Sequence, residues 1–139
     1  MLIPSRMSVE RKPKILVIDD SEICLDVVAD ALEQAGFEVA TSNRSLGASR
    51  LLSELNPDVV VVDIGMPALD GATLVQIIRR NPIHECAVLL HTDRDRSELE
   101  AAIASSGADG GACKSADSSE LIGLIQTTLL SHGWDCEPA

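Results

Sequence analysis

The sequence predicts an α/β domain: a doubly wound, five-stranded parallel sheet with helices on both faces. Three observations carry that expectation. Val59 to Val62 are consecutive, β-branched and continuously apolar, as a strand reads when both of its faces are covered. Two such apolar runs, Lys14–Asp19 and Val59–Asp63, end abruptly on a carboxylate, at the strand edge where ligands bind in open α/β sheets. Strand patterns alternate with helical patterns along the chain, which implies right-handed crossovers between parallel strands.

In chain order, residues 1–12 are a polar leader, and K-I-L-V-I-D (14–19) is a short buried strand followed at once by Asp20. Ser21 caps the next helix, with Glu22 in its first turn. Cys24, Val27, Val28, Ala31, Leu32 and Ala35 fall at helical spacing as a stripe facing the sheet, and Gly36 stands where a left-handed C-terminal cap belongs. Phe37–Thr41 is a brief strand. A helix from about Ser45 to Leu55 carries Leu46, Leu51, Leu52 and Leu55, and Asn56-Pro57 stops it. The central strand turns through Gly65 and Pro67 to Asp70, the N-cap of a helix lined by Leu74, Val75, Ile77 and Ile78 that ends near Arg79, Arg80 and Asn81-Pro82. Cys86–His91 is the fourth strand. Arg96–Ser105 is a charged helix whose narrow apolar side is Leu99, Ala102 and Ile103. Ala108–Cys113 is a weak fifth strand, and Ser118–Ser131 a last helix with Leu121, Leu124, Ile125, Thr128 and Leu129 on one face. The domain is expected over residues 13–132, with 133–139 as a tail.

A chain of 139 residues makes one domain with a real core, and one Phe, one Trp and no Tyr make that core aliphatic. The formal net charge of −11 opposes non-specific nucleic-acid binding, so no direct nucleic-acid partner is expected. No apolar run has signal-peptide or membrane-spanning length, and the expectation is a soluble cytoplasmic protein without a membrane partner. The four cysteines lack metal-ligand spacing: Cys24, Cys86 and Cys113 sit in or beside apolar runs as small hydrophobes, and Cys136 lies in the tail.

In a sheet ordered 2-1-3-4-5 the first and third strands are neighbours at the reversal of strand order, so Asp19, Asp20 and Asp63 face one crevice. Three carboxylates held together repel, and a hard divalent cation with oxygen ligands, Mg²⁺, relieves them. Thr92 ends the fourth strand with a hydroxyl. Lys114 ends the fifth with a flexible ammonium suited to a phosphoryl oxygen. Acids, a metal, a hydroxyl and a lysine on one sheet edge describe phosphoryl transfer.

These residues resemble the response-regulator receiver domain of two-component signalling over about Lys14–Ser131. The matching motifs are K-I-L-V-I-D-D (14–20), V-V-V-V-D-I-G-M-P-A-L-D-G (59–71), L-L-H-T (89–92), G-A-D (107–109) and Lys114. The resemblance implies a flavodoxin-like receiver fold of strand order 2-1-3-4-5. It implies that Asp63 accepts a phosphoryl group from a phosphohistidine on a histidine kinase or histidine phosphotransfer protein. Asp19, Asp20, Asp63 and the backbone carbonyl of Gly65 would hold Mg²⁺. Thr92 would bond a phosphoryl oxygen, and Lys114 would pair with Asp63 before modification and with the phosphoryl group after it. A downstream protein would read the state on the helices at 94–105 and 120–131. The length leaves no room for an output domain, so a stand-alone receiver is expected, with slow self-dephosphorylation as its only catalysis.

Three positions depart from that family's pattern. Asp93 replaces a small residue after the threonine; it is expected either to oppose the incoming phosphate or to point into solvent and cap the following helix. Gly111 replaces an aromatic three positions before the lysine. Ser115 replaces a proline after it, and a trans Lys114–Ser115 bond is expected because a cis bond before serine costs about 2.5–4 kcal/mol. His91 is expected to be partly buried and turned away from Thr92 by strand alternation. His84 and His132 read as loop and tail residues. These departures motivate an alternative, a pseudo-receiver that binds partners without phosphorylation. A haloacid-dehalogenase-like hydrolase is disfavoured, because the second acid it needs two residues after the nucleophile is Gly65 here.

Overall fold

Runs of β-branched and aliphatic residues build the centre of the molecule, seen in a computed structural model that describes residues 12–43, 48–64 and 86–131. The strands are β1 (Lys14–Ile18), β2 (Glu38–Ser42), β3 (Val59–Asp63), β4 (Ala87–Thr92) and β5 (Gly110–Cys113). They form one sheet ordered β2-β1-β3-β4-β5, and every pair is parallel. The expected order and direction hold. Every residue of β3 and β4 is buried, which is why neither alternates polar with apolar.

The helices are α1 (Glu22–Gln34), α2 (Ala48–Leu55), α3 (Arg96–Ser106) and α4 (Ser119–Ser131). Alternation splits the core in two. On one face Ile15, Val17, Val59, Val61, Leu89 and Ala112 pack with Leu25, Val28 and Leu32 of α1 and Leu121, Ile125 and Leu129 of α4. On the other, Leu16, Ile18, Val60, Val62, Val88 and Leu90 meet Leu52 of α2 and Leu99 of α3. No helix among the described residues is long and apolar enough to cross a membrane.

The helix ends follow local chemistry. Ser21 Oγ accepts the Cys24 N–H at 3.2 Å, and Gly36 takes the left-handed conformation with φ +101° after α1. Asn56, with φ +50°, ends α2 in the same way.

Several expectations are corrected. The buried stripe of α1 runs through Leu25, Val28 and Leu32, while Val27 is 48% exposed; Val27 lies a third of a turn away from Val28. The cap of α3 is Asp95, whose Oδ1 accepts the Glu98 N–H at 2.9 Å, and Asp93 is exposed. β4 is shifted one residue onward to Thr92. β5 begins at Gly110; just before it the Asp109 N–H donates to the Val88 carbonyl and Asp109 Oδ2 accepts the Val88 N–H, each at 2.8 Å. α4 starts at Ser119 because Ser118 has φ +58°, which no α-helical residue adopts. The Lys114–Ser115 bond, by contrast, is trans as expected. The Leu46 position, the turn from Gly65, the helix expected from Asp70 to Arg80, and His84, His132, Trp134 and Cys136 lie outside the described residues.

Candidate functional site

The carboxyl ends of β1, β3, β4 and the exit from β5 meet at one edge. Asp19 follows β1 directly and Asp63 is the last residue of β3; their relative exposures are 2% and 8%. Asp20 is exposed. A carboxylate oxygen from each of Asp19, Asp20 and Asp63 lies within 4.8 Å of the others. The topology alone brings them together, since β1 and β3 are hydrogen-bonded neighbours at the point where strand order reverses.

Lys114 reaches back from the end of β5 into this group. Its Nζ donates to Asp19 Oδ2 at 2.9 Å and stands 3.8 Å from Asp63 Oδ2. The ammonium expected on Asp63 is therefore shared, with its hydrogen bond on the more deeply buried acid. The other Asp19 oxygen accepts the Ser21 N–H at 3.0 Å, an Asx-type turn that fixes the carboxylate before any ligand arrives.

Electrostatics follow this geometry. Burial works to raise the Asp19 carboxyl, but the Ser21 N–H, the Cys24 thiol and Lys114 outweigh it and hold the group below its ordinary value. Burial alone would lower the Lys114 ammonium, yet its bond to Asp19 and the charges of Asp63 and Asp19 raise it well above normal, so it stays charged. Burial, with Asp19 beside it, pushes the Cys24 thiol up to about 11, leaving an unreactive thiol.

Thr92 closes β4, buried at the same edge. Its Oγ1 accepts the Arg94 N–H at 3.0 Å, and its carbonyl accepts the Lys114 N–H at 2.6 Å. A hydroxyl that accepts this bond still has a proton it can donate. Thus Asp19, Asp20, Asp63, Thr92 and Lys114 share one edge, while Gly65 lies outside the described residues.

Three carboxylates and one ammonium leave two negative charges, the complement of a divalent cation, and hard oxygen donors suit Mg²⁺. The donor set fits that ion. Sequence reasoning missed the bond from the Ser21 N–H to Asp19, although the acid-x-serine spacing signals such a turn. It also missed Glu120, which bonds Arg96 and the Cys113 N–H; those partners lie 24 and 7 positions away, and nothing local announces them.

Residues 15–126 match the family model described as the response regulator receiver domain. The chain is 34% identical over 125 residues to the transcriptional regulatory protein PrrA of Mycobacterium tuberculosis, an alignment that covers 87% of this chain and 52% of PrrA. The chain spans about half the length of the curated relatives it matches. CheY4, a chemotaxis response regulator of Vibrio cholerae, is similar in structure with a TM-score of 0.75 and 25% identity, covering 84% of this chain and 98% of CheY4. The response regulator TrrA of Thermotoga maritima, solved in complex with Mg²⁺ and BeF, has a TM-score of 0.71 and 26% identity, covering 83% of this chain and 97% of TrrA.

Proposed function

Because the chain belongs to the response regulator receiver family, we propose that Asp63 takes a phosphoryl group from a phosphohistidine on a histidine kinase or histidine phosphotransfer protein, in a Mg²⁺-dependent reaction, and that this switches binding to another protein. The observation that carries the reading is the placement of Lys114 between Asp19 and Asp63 inside the three-carboxylate group. A carboxylate oxygen of Asp63 attacks phosphorus, an O–P bond forms, the N–P bond breaks, and the donor imidazole leaves with the bonding electrons and takes up a proton. Asp19, Asp20 and Asp63 would hold the Mg²⁺, which supplies neutralisation of charge on the transferring group. Lys114 then exchanges its bond to Asp19 for a phosphoryl oxygen, and the Thr92 hydroxyl donates to another.

Asp93 is exposed, so solvent screens its charge from an incoming phosphoryl group. Slow hydrolysis of the aspartyl phosphate is the only turnover we assign. The readout goes to proteins, through residues 94–105 and 120–131, because a net charge of −11 opposes direct contact with nucleic acid. Cys24, Cys86 and Cys113 are thiols rather than disulfides, which suits a reducing compartment, and we place the chain in the cytoplasm. One observation favours a second reading, a docking module independent of phosphorylation. α3 lies so close over Gly111 that an aromatic residue has no space there.

Intact-mass measurement after incubation with a small phosphodonor and Mg²⁺ separates the two. The parent is expected to gain one phosphoryl group, and Asp63→Ala none. A parent that stays unmodified while still binding Mg²⁺ rules out the phosphoacceptor reading.

A further inference from the structure

β5 ends one residue before Lys114, and that end is tied to two helices by a single carboxylate. The Cys113 N–H donates to Glu120 Oε2 at 3.1 Å. The same carboxylate receives both terminal nitrogens of Arg96, Nη1 to Oε2 and Nη2 to Oε1, each at 2.9 Å. Arg96 is the first residue of α3 and Glu120 the second of α4. A two-pronged guanidinium–carboxylate contact fixes orientation as well as distance. Its net stabilisation is small, because the Arg96 and Glu120 side chains are 57% and 37% exposed. Its contribution is therefore geometric.

Two further contacts converge on α3. A Cβ built at Gly111 would lie 2.6 Å from Leu99 Cδ1, 3.1 Å from Ile103 Cδ1 and 3.2 Å from the Leu90 carbonyl oxygen, so α3 rests directly on bare β5 backbone. The Cys113 thiol contacts the Arg94 carbonyl at 3.8 Å, and the Arg94 N–H is held by Thr92. The strand end beside Lys114 and the start of α3 are thus joined at both side chain and backbone.

We propose that Glu120 is a positioning residue that couples Lys114 to the Arg96–Ser106 helix, the link this chain uses where position 111 holds no aromatic ring. The inference rests on the phosphoacceptor reading. As Lys114 leaves Asp19 for a phosphoryl oxygen, the backbone at 113–114 shifts, and the Glu120 carboxylate passes the shift to Arg96 and hence to α3.

The test loads the full chain with Mg²⁺ and beryllofluoride, follows uptake by fluorine NMR, and measures amide hydrogen exchange over residues 97–106. Arg96→Ala leaves the bond between Glu120 and Cys113. Glu120→Gln keeps an acceptor for the Cys113 N–H and removes the charge. Both positions are exposed enough for the variants to fold. Loading is expected to change exchange across α3 in the parent, and both variants are expected to load yet show a change several-fold smaller. The double variant Arg96→Glu with Glu120→Arg restores an ion pair but leaves the Cys113 N–H without an acceptor, so the coupling is expected to stay lost. Full restoration by that swap, or a parent-sized change in Arg96→Ala, overturns the role of Glu120 and leaves Asp63 untouched. A parent that takes up no beryllofluoride removes both readings together.

Discussion

His91 is the register partner of Asp63 on β4, 2% exposed, and its Nε2 has no hydrogen-bond partner. Burial first, and the Lys114 charge second, push its imidazole down to about 4, while Asp19 and Glu120 pull the other way. In the unfolded chain the ring takes its proton near its ordinary 6.5; in the fold it does so only near 4. The stability held by the neutral ring is therefore complete above about pH 6.5 and drains away as pH falls towards 4. The full gap is worth ~3 kcal/mol. His91→Leu is expected to lose less stability than the parent between pH 7 and pH 4.5, measured by urea midpoints. Equal losses would clear His91 as the acid-labile group. Alternation alone foretold that His91 turns from Thr92. The extent of its burial was not legible, because it depends on α4 covering that face.

The contact of α3 with β5 is the element where backbone and side chain are most closely fitted. Adding one methyl at Gly111 overpacks it: Leu99 can swing, but the Leu90 carbonyl at 3.2 Å belongs to the sheet and gives little. Gly111→Ala is expected to lower the urea midpoint by an amount equivalent to ~1–3 kcal/mol, and an unchanged midpoint would show that α3 floats free of the strand. Gly111 reads from sequence only as a weak strand residue. That α3 descends onto the gap it leaves depends on a contact between residues twelve apart in α3 and β5, Leu99 and Gly111. β3 was readable outright, since four valines leave no other reading. Most of the α1 stripe was legible, since Val28 and Leu32 are in the core and Cys24 and Ala35 pack against it; Val27 faces outward, and Leu25 takes the core place that Val27 was expected to fill.

At the scale of the molecule, the sheet order decides which acids meet. Asp19 and Asp63 are 44 residues apart in sequence, and only the pairing of β1 with β3 makes them neighbours. Their clustering was legible because each closes an unmistakable buried run. The sharing of Lys114 was not, since it depends on ångström differences between two carboxylates. A cation that binds the folded acids and not the unfolded chain stabilises the whole fold by mass action, about 2.7 kcal/mol at one hundred times its dissociation constant. Mg²⁺ is therefore expected to raise the parent's urea midpoint, and Asp20→Asn to blunt that rise. A midpoint indifferent to Mg²⁺ in the parent would deny the site its metal.

If the outer face carries the readout proposed above, the bare glycine under α3 also bears on what kind of signal it sends. A ring that swings in or out offers a partner a change of shape, an apolar knob that is present or missing. With Gly111 in that place, two ion pairs stand on this side, Arg94 near Glu98 and Arg96 paired with Glu120. A partner that tells one state from the other there responds to the spacing of ions in water. Such discrimination is fast, weak per contact and dulled by salt.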